Sequence, residues 1–300
     1  MTAPPSESRS IGLMLGSVLL FAVNALLIRG IHMHVPAADG WVASLFRGAV
    51  GMVVVIAMFG WGRGLELSHL FTRPLLAFRG LLGGFGILAF YITVVHLGAG
   101  RAVIINLSYP MFGSLFAAWW LKEHLTLRSW LWMIAGFVGL VIFLGSDFDG
   151  GIGGYDLLAL AGAVAAGGVV TLIRLLRDRE HTSSIYASQC LASFAFALWP
   201  AAAPTMTLSP GVIGLMIGAA IIVAIAQLAM TYSYRTLSVA RGSSMQMLLP
   251  LLTATGGYLL FNETFTSVGI AGAVLTLLAT WQVVRRPKTS TRLASNRQSA

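Results

Sequence analysis

Long apolar segments recur along the whole chain, and they constrain its fold more than any other feature. A helix needs about 20 mostly apolar residues to cross the hydrocarbon core of a bilayer. The sequence therefore predicts an all-α membrane protein with ten transmembrane helices. The predicted spans are roughly residues 11–31, 40–60, 75–97, 102–121, 129–146, 155–176, 183–202, 211–232, 242–261 and 267–284.

Composition excludes most soluble classes of protein. Hydrophobic residues make up 57% of the chain and charged residues 10%, against about 25% charged in a soluble domain. The net charge of +9 reflects a shortage of acids rather than a basic polar domain, so no nucleic-acid partner is expected. Cys190 is the single cysteine, the histidines lack zinc-ligand spacing, and no catalytic constellation lies within a span. We therefore predict no metal site, no cofactor and no enzyme.

The basic residues divide unequally between the two sides of the predicted bundle. If the N-terminus is cytoplasmic, fifteen of the 19 Lys and Arg residues fall on that side, and only Arg29 and Arg101 lie opposite. This bias predicts a multi-pass protein of the cytoplasmic (inner) membrane with both termini in the cytoplasm. Residues 285–300 are basic and rich in Ser and Thr, which predicts a disordered cytoplasmic tail.

The sequence contains an internal repeat at an offset of 140 residues. Each half then holds five predicted helices, and because five is odd the second copy enters the membrane from the opposite side. Inverted repeats of this kind recur in secondary transporters. We therefore predict a first repeat at 1–150 and a second at 151–284. The matched pairs are Arg101 and Arg241, Asn106 and Gln246, Pro110 and Pro250, Glu123 and Glu263, and Thr126 and Thr266.

The repeated stretches resemble a known domain. The first copy, Tyr109–Thr126 followed by the glycine-rich Ile134–Gly139, is similar to the EamA domain of the drug/metabolite transporter superfamily. The second copy, Pro250–Thr266 and Gly269–Gly272, is similar too, although it has Asn262 where the first has Lys122. The resemblance implies a ten-helix bundle of two repeats around a central cavity. It implies no particular cargo, because the family includes exporters of amino acids and drugs and importers of vitamins and nucleoside-like metabolites.

The repeated acids, Glu123 and Glu263, fall at helix–loop boundaries beside Thr126 and Thr266. Such residues favour capping of the following helix, since a carboxylate is stabilised near the positive end of the helix dipole. The alternative is a carboxylate that couples proton movement to transport, which is expected deep in the membrane. None of the ten acids lies clearly mid-span, so capping is favoured, and exchange, facilitated movement or coupling through another group stays open.

The repeated prolines, Pro110 and Pro250, fall inside predicted helices. Proline removes one backbone donor and frees a carbonyl one turn earlier. This predicts a kink, which either lines a cavity or acts as a hinge, or is only a static bend.

Polar and aromatic residues inside the spans define the candidate substrate cavity. Helical spacing places several of them on one face, and polar groups in a bilayer must find partners or water. The alternative is hydrogen bonding between helices without substrate contact. The cavity candidates are Asn24, Tyr91, Asn106, Tyr109, Pro110, Phe112, Gln227, Thr231, Tyr234, Gln246, Pro250 and Thr253.

Two arginines, Arg47 and Arg79, fall within spans. Arg79 lies about a turn inside its helix, which favours a side chain that extends to the cytoplasmic interface. Arg47 lies deeper and must face protein or water. It is expected either to have a structural partner or to bind an anionic group of a substrate.

These features together predict a secondary transporter of a small metabolite, amino-acid-like or otherwise amphipathic, that works by alternating access. A carrier of a larger ring compound, such as a vitamin or nucleoside-like molecule, is the alternative within transport. A membrane scaffold or sensor is the alternative outside it. The expected partners are the substrate and the lipid bilayer. The pairs Gly12/Gly16, Gly80/Gly84 and Gly214/Gly218 favour packing within the chain, with a homodimer as the alternative.

Overall fold

The computed structural model describes residues 6–60, 65, 68–97, 105–106, 108–122, 126–144, 153–177, 179–261 and 266–284. The chain is all-helical, as the sequence predicts. Numbered in chain order, the helices are α1 (Glu7–His34), α2 (Gly40–Phe59), α3 (His69–Thr72), α4 (Pro74–Leu97), α5 (Tyr109–Trp120), α6 (Leu127–Leu144), α7 (Gly154–Leu176), α8 (Thr182–Met206), α9 (Pro210–Ser233), α10 (Val239–Gln246), α11 (Leu249–Phe261) and α12 (Ser267–Val284). Residues 285–300, the predicted tail, lie outside the described ranges.

Six of these helices are long and apolar enough to cross a membrane: α1, α2, α4, α7, α8 and α9. Their outward faces carry large apolar side chains, including Val53 of α2 at 63% and Trp199 of α8 at 90% of full exposure. Such a surface is suited to lipid rather than water. Helices α5, α6, α11 and α12 overlap the four other predicted spans, and the count of ten spans stays a prediction.

Short polar side chains begin several of the helices. Asp39 accepts hydrogen bonds from the backbone N–H groups of Trp41 and Val42 at 2.9 and 3.0 Å, at the start of α2. Ser209 accepts from the N–H of Val212 at 3.4 Å, before α9. These caps satisfy donors that have no partner inside the helix, so the positions of short polar residues determine where the spans start.

The helices pack in pairs that correspond to one another when the two halves of the chain are exchanged. Exchanging the halves replaces α1 by α7 and α9 by α4. The contact of α1 with α9 therefore corresponds to the contact of α7 with α4, and both are present. Helix α5 packs on α7, and its counterpart is α11 on α1. Two further contacts join equivalent helices of the two halves, α2 with α8 and α6 with α12, so the exchange leaves them unchanged. The two halves therefore interleave, and the contacts within the core are mostly contacts between halves.

The ninth predicted span is interrupted. Helix α10 ends at Gln246 and α11 begins at Leu249, with two residues between them. In the first half α5 begins at Tyr109, which is 140 residues before Leu249. Pro110 and Pro250 are thus second residues of helices, not residues inside a continuous helix, and the expectation of a mid-helix kink is wrong for α11. Proline is tolerated in the first turn because its missing N–H has no partner to lose there.

Glycines allow the closest contacts between α4 and α8. A Cβ placed on Gly80 would lie 2.4 Å from the backbone oxygen of Ser188, and one on Gly84 would lie 2.9 Å from the Cβ of Ala192. The Gly80/Gly84 pair therefore packs within the chain as predicted. The other two pairs show no such contact, because a Cβ on Gly12, Gly16, Gly214 or Gly218 would lie more than 4 Å from every neighbouring element in the described ranges.

Candidate functional site

One polar contact inside the bundle joins Arg47 of α2 to Gln227 of α9. The Nη2 group of Arg47 donates to Oε1 of Gln227 at 3.1 Å. Gln227 is buried and Arg47 is partly buried. The amide oxygen satisfies one guanidinium donor but does not neutralise the charge. Arg47 therefore has a polar partner and keeps its net positive charge.

A small cleft opens beside this pair, between helices of both halves. It encloses about 210 Å³, counting the space open to the outside. Three of the predicted polar positions meet there: Asn24, Arg47 and Tyr91. The amide of Asn24 also donates to the backbone oxygen of Ala219 at 2.7 Å. The lining residues are Asn24, Ile28, Ala43, Arg47, Tyr91, Met216, Ala220 and Val223.

Arg79 lies in the interior rather than at the membrane interface. Its side chain is 0% exposed, although it lies only five residues after Pro74, the first residue of α4. The expectation that it extends to the interface is wrong, because the close packing of α4 on α8 covers it. None of its three guanidinium nitrogens has a hydrogen-bond partner within the described ranges.

The start of α5 meets the interrupted ninth span through Tyr109 and Gln246. The hydroxyl of Tyr109, the first residue of α5, donates to Oε1 of Gln246, the last residue of α10, at 2.8 Å. The amide nitrogen of Gln246 donates to Sδ of Met230 at 2.8 Å. Tyr234 is fully buried nearby, against Gly242 of α10. Tyr109, Tyr234 and Gln246 thus form a second polar cluster, separate from the cleft.

The other cavity candidates have local partners or lie apart. The amide of Asn106 donates to Thr93 at 3.5 Å, and Thr253 donates to the carbonyls of Leu249 and Pro250 in its own helix. Thr231 is fully buried, and its hydroxyl has no partner in the part of the chain that the structure describes. Pro110 and Phe112 lie at the start of α5, where α5 packs on α7.

The repeated threonines cap the helices that follow them. Thr126 accepts a hydrogen bond from the N–H of Ser129 at 3.2 Å, and Thr266 accepts one from the N–H of Gly269 at 3.1 Å. The repeated acids Glu123 and Glu263 lie outside the described residues. A capping role for these two acids therefore stays a prediction.

Ion pairs join the two halves at the end of the bundle where α1 begins. Glu180, before α8, accepts from Nη1 of Arg73 at 2.7 Å and from Nδ1 of His69 at 3.4 Å. Glu7 at the start of α1 pairs with Arg241 of α10. We call these contacts the end clamp. The sequence showed opposite charges in these loops but no signal of which ones pair.

Charged groups elsewhere limit the chemistry of the site. The described acids, Glu7, Asp39, Asp156 and Glu180, all lie at helix ends. Among the described residues no group of three His, Cys, Asp or Glu side chains could hold a metal ion.

His181 caps α8 outside the spans. Burial, and next the charge of Arg235, lower the pKa of His181.

Comparison with known proteins identifies the class. The model of the EamA-like transporter family matches residues 8–145 and 154–285, so the chain consists of two EamA repeats. The chain belongs to the EamA-like transporter family and is a membrane transporter. The resemblance drawn from the repeated motifs is thereby confirmed.

Individual relatives agree with the family. The pseudopaline exporter CntI of Pseudomonas aeruginosa strain UCBPP-PA14 is 25% identical over 272 residues, covering 89% of this chain and 93% of the exporter. The same exporter from strain PAO1 matches equally. A protein of known crystal structure superposes with a TM-score of 0.75 at 18% identity, covering 93% of this chain and 98% of its own. That last match is evidence for the fold alone.

Proposed function

We propose that the chain is a secondary transporter that exports a small, amino-acid-like or otherwise amphipathic metabolite across the cytoplasmic membrane by alternating access. One observation carries the proposal: two interior polar contacts join the two halves. Arg47 with Gln227 and Tyr109 with Gln246 are both contacts of this kind. A relative movement of the halves would break and remake these contacts, which is what alternating access requires.

The arrangement of the halves supports an inverted repeat. We propose a first repeat at 1–150, a second at 151–284 and a cytoplasmic tail at 285–300. The helix contacts correspond when the halves are exchanged, as they would around a two-fold axis. With five spans in each half, that axis would lie in the membrane plane, with both termini in the cytoplasm.

The bundle is closed at one end and less so towards the other. The end clamp links the halves where α1 begins. The cleft residues lie towards the opposite ends of their helices, since Ile28 is near the end of α1 and Ala43 is near the start of α2. These positions correspond to a conformer that is shut on the proposed cytoplasmic side.

The direction of transport has support of its own. The direction of export is proposed because the named relatives are exporters.

Flux in reconstituted vesicles tests the proposal. The full-length protein should move at least one compound of an amino-acid and small-metabolite panel, with empty vesicles as the control. Flux with and without a pH gradient separates proton coupling from exchange or facilitated movement. Correctly folded protein that moves no compound would contradict the proposal and favour a scaffold or sensor.

A further inference from the structure

Arg79 is a buried cation without a counterion among the described residues. Its side chain is 0% exposed, and Nε, Nη1 and Nη2 all lack hydrogen-bond partners there. A guanidinium stays protonated in proteins and presents five donors. Removing such a charge from water is costly unless an anion or several acceptors compensate for it. No acid in the described ranges therefore compensates for the charge of Arg79.

A second cation acts on the same region. Among the described titratable side chains, Cys190, Tyr186 and Arg47 lie close enough to influence Arg79 electrostatically. Arg47 in turn acts on both Tyr186 and Cys190. Tyr186 and Cys190 lie together on α8, since a Cβ on Gly51 of α2 would be 2.7 Å from the Tyr186 hydroxyl and from Cys190 Sγ. Two guanidinium groups thus share a neighbourhood of neutral side chains.

Hydroxyl groups add further donors on the same helices. Ser44 lies one turn before Arg47 on α2, and Ser193 lies one turn after Cys190 on α8. Both are buried, at 2% and 3% exposure, and neither hydroxyl has a partner in the described structure. The described acids lie at helix ends, so none of them supplies the missing negative charge.

We propose that Arg47 and Arg79 bind a carboxylate group of the transported molecule. Arginine suits this task because its planar fork of donors matches the two oxygens of a carboxylate. Arg47 lines the cleft and meets the carboxylate first. Arg79 lies where α4 of one half packs on α8 of the other, so it becomes accessible when the halves separate. This inference rests on the proposed transport function and adds the chemical class of the cargo.

The test compares an acid with its neutral amide. N-acetyl-L-phenylalanine and N-acetyl-L-phenylalaninamide differ only in the carboxylate, and acetate and benzoate extend the series to smaller acids. The full-length protein is unfolded thermally in detergent at constant ionic strength, with chloride as the only other anion. We expect at least one acid to raise the unfolding midpoint by about 2 °C or more, and the amide to have no effect. No shift with any acid, an equal shift with the amide, or a shift with inorganic phosphate alone would overturn the proposal.

Substitutions assign the effect to the two arginines. Arg79→Met and Arg47→Met should each abolish the shift, whereas Arg128→Met, at an exposed position of α6, should retain it. Without ligand, Arg79→Met should be as stable as the unmodified protein or more so, because an unpaired buried charge is replaced by an apolar chain of similar length. A less stable or unfolded Arg79→Met protein would show a structural role and contradict the proposal.

Transport and binding can fail separately in these experiments. Acid-specific stabilisation without flux of any compound in vesicles would refute the transport function and leave the carboxylate site standing. Flux confined to neutral or cationic compounds, without acid-specific stabilisation, would refute the carboxylate site and leave transport standing.

Discussion

The hydroxyl of Tyr109 donates a hydrogen bond to Oε1 of Gln246 at 2.8 Å, and this bond connects the two halves of the bundle. Tyr109 is the first residue of α5 and Gln246 is the last residue of α10. The two residues lie 137 positions apart, one in each half of the chain. The break between α10 and α11 is thus linked by side chains to the start of α5.

Removing the Tyr109 hydroxyl should destabilise the protein. Tyr109→Phe leaves the amide oxygen of Gln246 without its donor, which should cost about 1–3 kcal/mol and lower the thermal unfolding midpoint. The double variant Tyr109→Phe, Gln246→Leu should lose less than the sum of the single variants, because the bond is counted once. Tyr232→Phe is the matched control, since that ring keeps its contact with Arg235. Additive losses would contradict the coupling of the two residues.

A carboxylate at position 227 should occupy Arg47 permanently. In Gln227→Glu the new acid would lie about where the amide oxygen now lies, 3.1 Å from Nη2 of Arg47. Opposite charges at that separation should pair, so we expect a higher unfolding midpoint and a flux reduced about ten-fold or more. Gln227→Leu is the control, because it removes the amide but adds no negative charge beside Arg47. It separates the effect of losing the amide from the effect of neutralising Arg47. Gln227→Glu protein with unchanged flux would show that Arg47 does not contact the cargo.

Weakening the end clamp should open the bundle where α1 begins. Glu180 is 3% exposed and binds Arg73 and His69, so Glu180→Gln removes the acid from both contacts. The native thiol of Cys190, 2% exposed, reports the opening, because it should react faster with a maleimide when the halves separate. Arg179→Gln, at an exposed neighbouring position, is the control. Equal labelling rates in the two variants would contradict a clamp role for Glu180.

Acidification should destabilise the protein through His181. Burial and the nearby charge of Arg235 lower the folded-state pKa of His181 below its ordinary value of 6.5. The contribution of neutral His181 to the free energy of unfolding is therefore complete above about pH 6.5. It is lost as the pH falls from there through the folded-state pKa, because the unfolded chain binds the proton first. His181→Asn keeps a side chain able to cap α8 and should flatten the fall in unfolding midpoint between pH 7.5 and 5. His34→Asn, at an exposed position at the C-terminal end of α1, should leave the fall in unfolding midpoint unchanged.

Several features could be predicted from the sequence because they depend on local chemistry. Apolar length predicts the spans, and Thr126 and Thr266 precede apolar runs at positions where a hydroxyl caps a helix. The spacing of the repeat places Pro110 and Pro250 correctly relative to each other. The interruption before Pro250 could not be predicted, because apolar periodicity continues across it.

The environments of the two intramembrane arginines depend on neighbouring helices. Arg79 is near enough to the start of α4 to reach an interface, and only the close approach of α8 prevents this. The partner of Arg47, Gln227, is 180 residues away along the chain. Contacts of this kind follow from the interleaving of the halves, which a single sequence does not specify.

The most direct test asks whether relative movement of the halves is required for transport. Cysteines replace Tyr109 and Gln246 in a Cys190→Ser background, and a short bis-methanethiosulfonate reagent, cleavable by reduction, links them. Flux is then measured in reconstituted vesicles before linking, after linking and after reduction. We expect flux to stop on linking and to return on reduction. Flux that continues unchanged in fully linked protein would contradict a requirement for relative movement of the halves.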